Sequence, residues 1–393
     1  MKTLQQVEPR TPISIVPTNL AVSGSYYLVT NLPGVAASDG ITISANDVDL
    51  DLNGFVLAGA PGSGTGISVP AFQTNLVVRN GKIRGWGSLG VLANSVNSRF
   101  ENLHISGNSG TGLQVGSGSL VTGCELQNNG AGIFTGTDSM VKDCIAQSTG
   151  TGIITGDAST VSVCIAAGNL YPGISTGNGC TIKECTARAN NPGIYTGDGC
   201  TLIGCSAINN SSNGISTGFG CTVRDCTVRN SAANGMVLSS GCTISGCTAY
   251  LNGSDGINTL QGCTVTSCTA YANTGNGITS GAYCTVERCT VHSNTGDGIR
   301  HSADCRIADN AASSGAGSGA GIRVLTSFSR IDGNVVNQNT VGIRADAGPN
   351  LIVRNLVRGN TTNYVFGTLE DLGATNANFD LSKETNAWRN FNN

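Results

Sequence analysis

The apolar positions of this chain do not follow a helical period. They alternate with polar ones over runs of three to five residues, such as Cys-Thr-Ile, Cys-Thr-Ala and Gly-Ile-Asn-Thr, separated by turns rich in Gly, Asn and Ser. Such short alternation predicts strands with one face inward, and no run is long enough for a helix. The runs also return in order. A Gly followed by an apolar residue recurs fourteen times, from Gly66-Ile67 to Gly342-Ile343, at spacings of 20 to 24 residues. Cys242, Cys247, Tyr250 and Ile257 come back as Cys263, Cys268, Tyr271 and Ile278. Three short strands cannot bury an apolar face alone, so each unit must stack on the next, strand over equivalent strand. The prediction is an all-β parallel β-helix, a solenoid of about 14 coils with three short strands per coil and roughly 21 residues per coil.

Stacking turns sequence columns into ladders. One column runs through Cys180, Cys200, Cys221, Cys242, Cys263, Cys284 and Cys305. A second runs through Cys124, Cys144, Cys164, Cys185, Cys205, Cys226, Cys247, Cys268 and Cys289, so all 16 cysteines are placed. Ser119, Ser139 and Ser159 precede the first, and Asn310, Asn334 and Asn355 continue the second. A Cys-x4-Cys row is not the closed four-ligand set of a zinc ribbon, and nine members cannot pair completely within one column. The cysteines are therefore expected to line the interior as small apolar groups, with no metal site, and the redox compartment stays open. Asn190, Asn210, Asn230, Asn252, Asn273 and Asn294 recur at one bend as a structural ladder. Thr135, Thr155, Thr176, Thr196, Thr217 and Thr259, two residues after the Gly-Ile apolar residue, face inward.

The ends depart from the period. Residues 1–60 are expected to form an N-terminal cap and first strands, 61–360 the β-helix, and 361–393 a tail carrying Trp388 and Phe391 that blunts the last coil's open edge. With 56 glycines, 11% charged residues and 5% aromatics, the chain reads as turn-rich and ordered. A net charge of -3 argues against a nucleic-acid partner, which would call for a basic stripe. No stretch has the apolar length of a membrane-spanning helix. The start "MKTLQQVEPRTPIS" has no apolar core, so it is not a secretory leader, and the chain is cytoplasmic if Met1 is the true start.

The segments "GSYYLVTNL", "VDLDLNGFVL" and "VVRNGKIRGWG", the Asn-then-Gly-Ile repeat, and "GNTTNY" followed by a short aromatic ending resemble the right-handed parallel β-helix repeat proteins of the pectate-lyase-like fold, in their large uncharacterised bacterial branch. The resemblance covers nearly the whole chain and implies a right-handed coil. It implies no single function, because the family includes lyases, hydrolases, esterases, epimerases, adhesins and phage spikes. A leader usually precedes this kind of beginning in similar proteins, which implies a trimmed chain and an extracellular or cell-envelope setting. The hydrolase branch relies on clustered Asp pairs, a Gly-His-Gly and an Arg-x-Lys. The Gly-His-Gly is absent and the repeats hold no such Asp pair, so galacturonan hydrolysis is not expected.

The coils leave no room for a long lid, so any site is a shallow face. Lys82, His104 and Glu125 fall at similar outward positions in three successive coils, with Arg84 and Trp86 nearby. A base, an acid and a cation there would suit proton abstraction beside a uronate carboxylate. Three polar residues on an exposed strand are also what solvation alone would give. Arg229, Tyr250, Tyr271 and His292 form an outward column in an aromatic-poor chain, suited to sugar rings or simply to cross-rung stacking. Arg300, Arg323 and Arg344 form another, either paired internally with Asp346 and Asp304 or open to the carboxylates or sulfates of an acidic polysaccharide. Asp47, Asp49 and Asp51 alternate along one strand and are expected to be solvated. Two outward threonine rows raise ice binding, against which stands threonine's general fitness for strands. The sequence thus points to a rigid, secreted or envelope-associated scaffold that contacts polysaccharide without cleaving it. The alternative is a polysaccharide lyase or epimerase. No cofactor is expected, and the oligomeric state is open.

Overall fold

A computed structural model describes residues 9–313, 317 and 319–367, and the backbone of 371–372, 375–376 and 390–392. The chain is an all-β parallel solenoid of about 16 turns, about 21 residues each. The turns beyond those predicted come from the ends. Thr18–Leu20 pairs with Ile41–Ile43, which pairs with Ile67–Thr74, and Val341–Ala345 pairs with Thr362–Phe366. The early coils escape the sequence count because Thr18 lacks the Gly-apolar mark and Ile41, which has it, stands 26 residues before Ile67, beyond the range of 20 to 24.

Contacts divide the chain into two units, Met1–Thr196 and Gly197–Asn393. Each is built from the same coil. In the first, Ile153–Thr155, Thr160–Ser162 and Ile165–Ala167 pair in parallel with Ile174–Thr176, Thr181–Lys183 and Thr186–Arg188. In the second, Ile257–Thr259, Thr264–Thr266 and Thr269–Tyr271 pair with Ile278–Ser280, Thr285–Glu287 and Thr290–His292. The middle residue of two strands and the outer residues of the third point inward and are buried, as Val265, Ala270, Ile257 and Thr259 illustrate.

Where an asparagine stands one coil on, it helps dictate the Gly of the Gly-Ile pair. A Cβ on Gly256 would stand 2.6 Å from Asn273 Nδ2 and 2.7 Å from the Gly277 carbonyl, so only Gly lets the rungs close. The asparagines form hydrogen-bonded files. Asn273 Oδ1 accepts from the Asn252 backbone N–H at 3.1 Å and from Asn252 Nδ2 at 2.9 Å, while Asn273 Nδ2 donates to the Ala249 carbonyl at 3.1 Å and to Asn294 Oδ1 at 2.9 Å. The file departs from the expected list at one rung. Asn230 is exposed in a left-handed turn at φ 54°, and the position is held by buried Ser231, whose hydroxyl has no partner and interrupts the file. It also reaches earlier than expected, through Asn108, Asn129 and Asn169.

All 16 cysteines are free and buried. They are more than small apolar groups, because each occupies a bend and serves its backbone. The Cys263 N–H points at Cys284 Sγ at 3.3 Å, and the Cys263 thiol donates to the Ser239 carbonyl at 3.2 Å. Asn310, which continues the second column, does the same for Cys289 N–H and the Val286 carbonyl, each at 2.9 Å. Serine, cysteine and asparagine alternate in these columns because each offers a short acceptor and donor there. Hydrogen bonds with Cys144 and Cys185, together with burial, push the Cys164 thiol far above its ordinary range.

Four residues differ from expectation in this frame. Trp86 is 1% exposed, packs in the core against Gly34 and Gly40, and donates from its indole N–H to the Leu57 carbonyl at 3.3 Å. Asp49 and Asp51 are not a solvated face: Arg79 reaches them at 3.0 and 3.7 Å, and Asp51 accepts the Asn53 N–H at 2.8 Å. Asp47 lies outside their strand, in a left-handed turn at φ 53°. At the C-terminal end Leu351–Val353 pairs with Asp371–Leu372 and Leu356–Arg358 with Asn390–Asn392. Trp388 lies outside the described residues.

One bend carries strain. Val163 sits at φ 53°, in the column where Gly123 takes φ 62° and Asp143 φ 53°, and it is about half exposed. A β-branched residue there costs about 1–2 kcal/mol. Val163→Asn is expected to raise stability by about 1 kcal/mol, measured as an upward shift in thermal midpoint. An unchanged or lowered midpoint would contradict the strain.

Candidate functional site

Three outward columns carry the candidate chemistry, one in the first unit and two in the second.

In the first unit, Lys82 stands in register with His104, and His104 with Glu125, on strands Val77–Arg84, Arg99–Ser106 and Glu125–Gln127. Strand alternation turns all three outward, since Ile83, Ile105 and Leu126 beside them are buried. His104 Nδ1 lies 3.0 Å from Glu125 Oε2, with both side chains about half exposed. They line a cleft of about 250 Å³ together with Ser106, Gln127, Ile145 and Gln147. The glutamines of the next two rungs give it a polar floor that the sequence reading did not pick out. Their signal was present, because Gln127 and Gln147 sit in register two residues beyond Glu125 and Ile145.

In the second unit, Arg229 is in register with Tyr250, Tyr250 with Tyr271, and Tyr271 with His292. The Tyr250 and Tyr271 rings stack at 4.8 Å and 4°, and the Tyr271 and His292 rings at 5.0 Å and 12°. Ring faces that a sugar was expected to cover are therefore spent on one another. What the column offers outward is its edge: two phenol hydroxyls, an imidazole and a guanidinium, one per rung, all half-buried. Among the described residues neither phenol hydroxyl has a partner within the protein, nor does the Arg229 guanidinium meet a carboxylate. His292 Nδ1 lies 3.2 Å from Ser293 Oγ.

Arg300, Arg323 and Arg344 are likewise in register on successive strands. Asp346 lies between the last two, accepting from Arg323 Nε at 2.8 Å and from Arg344 Nε at 2.6 Å. Burial works against its ionised carboxyl, but the bonds from Arg344 and Arg323 outweigh it and hold the pKa below the ordinary value. The second carboxylate near the row is Asp297, 3.8 Å from Arg323, and Asp304 takes no part. Internal pairing thus covers Arg323 and Arg344. Arg300 differs: its Nε is buried and has no hydrogen-bond partner.

The sequence matches the family described as right handed beta helix region over residues 35–162, 73–220 and 215–362. Comparison with curated proteins gives no match. Among solved structures, the chain is similar to the Dettilon tailspike protein (15% identity, 74% of this chain and 62% of that one, TM-score 0.43). It is also similar to the periplasmic alginate epimerase AlgG (12%, 68% and 77%, 0.40) and to the mannuronan C-5 epimerase AlgE4 A-module of Azotobacter vinelandii (14%, 90% and 91%, 0.33). The chain thus spans less than two thirds of the tailspike. With the family's pattern matched from residue 35 to 362 and parallel strands wound at the spacing of the repeat, the chain belongs to the right-handed β-helix family.

Proposed function

We propose that this protein is an extracellular or envelope β-helix that holds an extended polysaccharide along the Arg229, Tyr250, Tyr271, His292 column without cleaving it. The observation that carries this reading is the row of unspent hydrogen-bonding groups at one-rung intervals, set by rings 4.8 and 5.0 Å apart. Stacking fixes the rings before any ligand arrives, so little side-chain entropy is lost on binding. A polymer lying along the column meets a donor or acceptor at each rung, a spacing close to the length of one pyranose unit.

The test is Tyr250→Phe with Tyr271→Phe, which keeps the stack and removes both hydroxyls. Against a panel of neutral and acidic oligosaccharides, the double variant is expected to bind the wild-type ligand about tenfold more weakly, two hydrogen bonds contributing about 0.5–1.5 kcal/mol each. The thermal midpoint should not move. Unchanged affinity would remove the column from the binding surface.

A second reading has its own observation, the Lys82, His104, Glu125 column beside its cleft. Glu125 would orient the imidazole through Nδ1, leaving Nε2 to take the proton beside a uronate carboxylate while Lys82 neutralises that carboxylate. β-Elimination would then break the C4–O bond to the neighbouring sugar, whose oxygen leaves with the proton that His104 took, and give an unsaturated sugar; return of the proton to the opposite face of C5 would instead give an epimer. Growth of ultraviolet absorbance on incubation with uronate polymers, lost in Glu125→Gln, would favour this lyase over the binding reading.

A further inference from the structure

We propose that the gap between Arg300 and Arg323 is a site for an oxyanion, the carboxylate or sulfate of an acidic glycan. The proposal rests on the glycan-contacting reading but uses a different strand face from the tyrosine column.

The chain supplies its own precedent one rung away. Arg323 and Arg344 are adjacent like charges, and such neighbours repel unless an anion lies between them. Asp346 fills that role, with one carboxylate oxygen on each Nε. Arg300 and Arg323 are stacked in the same register. At this gap the position equivalent to Asp346 is Leu325: Leu325 follows Val324 as Asp346 follows Ala345, and Val324 and Ala345 are paired. The upper gap therefore lacks the internal carboxylate that the lower one has.

The surrounding groups leave Arg300 uncompensated. Asp297 gives one oxygen to the Ala320 N–H at 2.8 Å, and its other lies 3.8 Å from Arg323. Thr279, in register on the other side of Arg300, donates its hydroxyl to Asp255 at 2.7 Å. No carboxylate among the described residues forms an ion pair with Arg300, and its buried Nε lacks any partner. That Nε is closed to solvent, so what the half-buried Arg300 offers an external ligand is its terminal nitrogens. An oxyanion bridging these and the terminal nitrogens of Arg323 supplies the missing counter-charge, with the planar fork geometry that guanidinium offers to carboxylate and sulfate.

Two variants test this in opposite ways, by calorimetric titration of the full chain with trigalacturonate, its trimethyl ester and inorganic sulfate. Arg300→Gln removes the charge, and Leu325→Asp installs an internal carboxylate at the position equivalent to Asp346. Both are expected to weaken trigalacturonate and sulfate binding by about tenfold or more, as loss of a charge-assisted pair implies. The ester should bind all three proteins equally and more weakly than the acid. Sulfate reports the site without any sugar, so its loss in both variants supports the proposal even if the tyrosine column binds nothing. Absence of sulfate and trigalacturonate binding to the wild type overturns it, as does affinity unchanged in both variants. Trigalacturonate affinity lost in the Tyr250→Phe, Tyr271→Phe protein but kept in Arg300→Gln would also overturn it, leaving the tyrosine reading intact.

Discussion

Replacement of Asn273 by alanine is expected to destabilise the second unit by about 4 kcal/mol, since each buried polar group left unpaired costs about 1–3 kcal/mol. The amide makes four bonds. Its removal leaves the Asn252 backbone N–H and Nδ2 without their acceptor, the Ala249 carbonyl without this donor, and Asn294 Oδ1 with one donor fewer. Water has little access, because Asn252, Asn273 and Asn294 are each 1% exposed. The loss belongs to particular rungs, and a long repeat array need not unfold in one step. Hydrogen exchange at the Asn252 amide is therefore the sharper readout. A loss of that size speeds exchange by about a thousandfold where local opening controls it. Asn273→Ser should recover little of this, since at the equivalent rung the Ser231 hydroxyl is buried without a partner. Exchange at Asn252 unchanged in the alanine variant would show that the file is not what closes this bend.

Acidification from pH 6.5 to 4 is expected to remove about 3 kcal/mol of stability through His301 alone, at 1.36 kcal/mol per unit of pKa shift. Its side chain is fully buried on the inner face of Ile299–His301. Nδ1 donates to the Ser302 carbonyl at 3.0 Å, which leaves Nε2 unprotonated, and Nε2 has no partner. Burial disfavours the imidazolium and lowers the pKa to about 4, against smaller opposing effects of the Ser302 carbonyl and Cys284. The sign follows from proton uptake. Above the ordinary value of 6.5 both folded and unfolded imidazoles are neutral and nothing changes. Between 6.5 and 4 only the unfolded chain binds the proton, so stability falls with pH, and below 4 the folded group protonates too and the loss levels off. Urea midpoints for the wild type and His301→Ser should differ by a constant amount above pH 6.5 and converge toward pH 4. Parallel curves over that window would show that His301 does not titrate with folding.

Periodicity carried most of the fold and part of the site, because a residue's rung follows from its place in the repeat. The stacking of Tyr250 on Tyr271 and the alignment of Lys82, His104 and Glu125 need only that arithmetic. Direction within a rung is a different quantity. That the tyrosine faces cover one another depends on side-chain rotation, which spacing does not encode. Ion partners were partly hidden for a similar reason: Asp297 comes from a bend outside the arginine column, whereas Asp346 lies two residues from Arg344. His301 was readable, since it sits two residues after the apolar residue of Gly298-Ile299, at the inward offset that Thr259 occupies. The first coils were not, because Thr18 lacks the Gly-apolar mark and the step of 26 from Ile41 to Ile67 breaks the period.

The hand-over of the same atoms from rung to rung has an evolutionary consequence. Because Asn252 presents to Asn273 what Asn273 presents to Asn294, one near-identical copy can be gained or lost by unequal crossing-over without leaving mismatched ends. The number of tyrosine rungs would change by the same event, so the length of the stacked column is set by copy number rather than by point mutation.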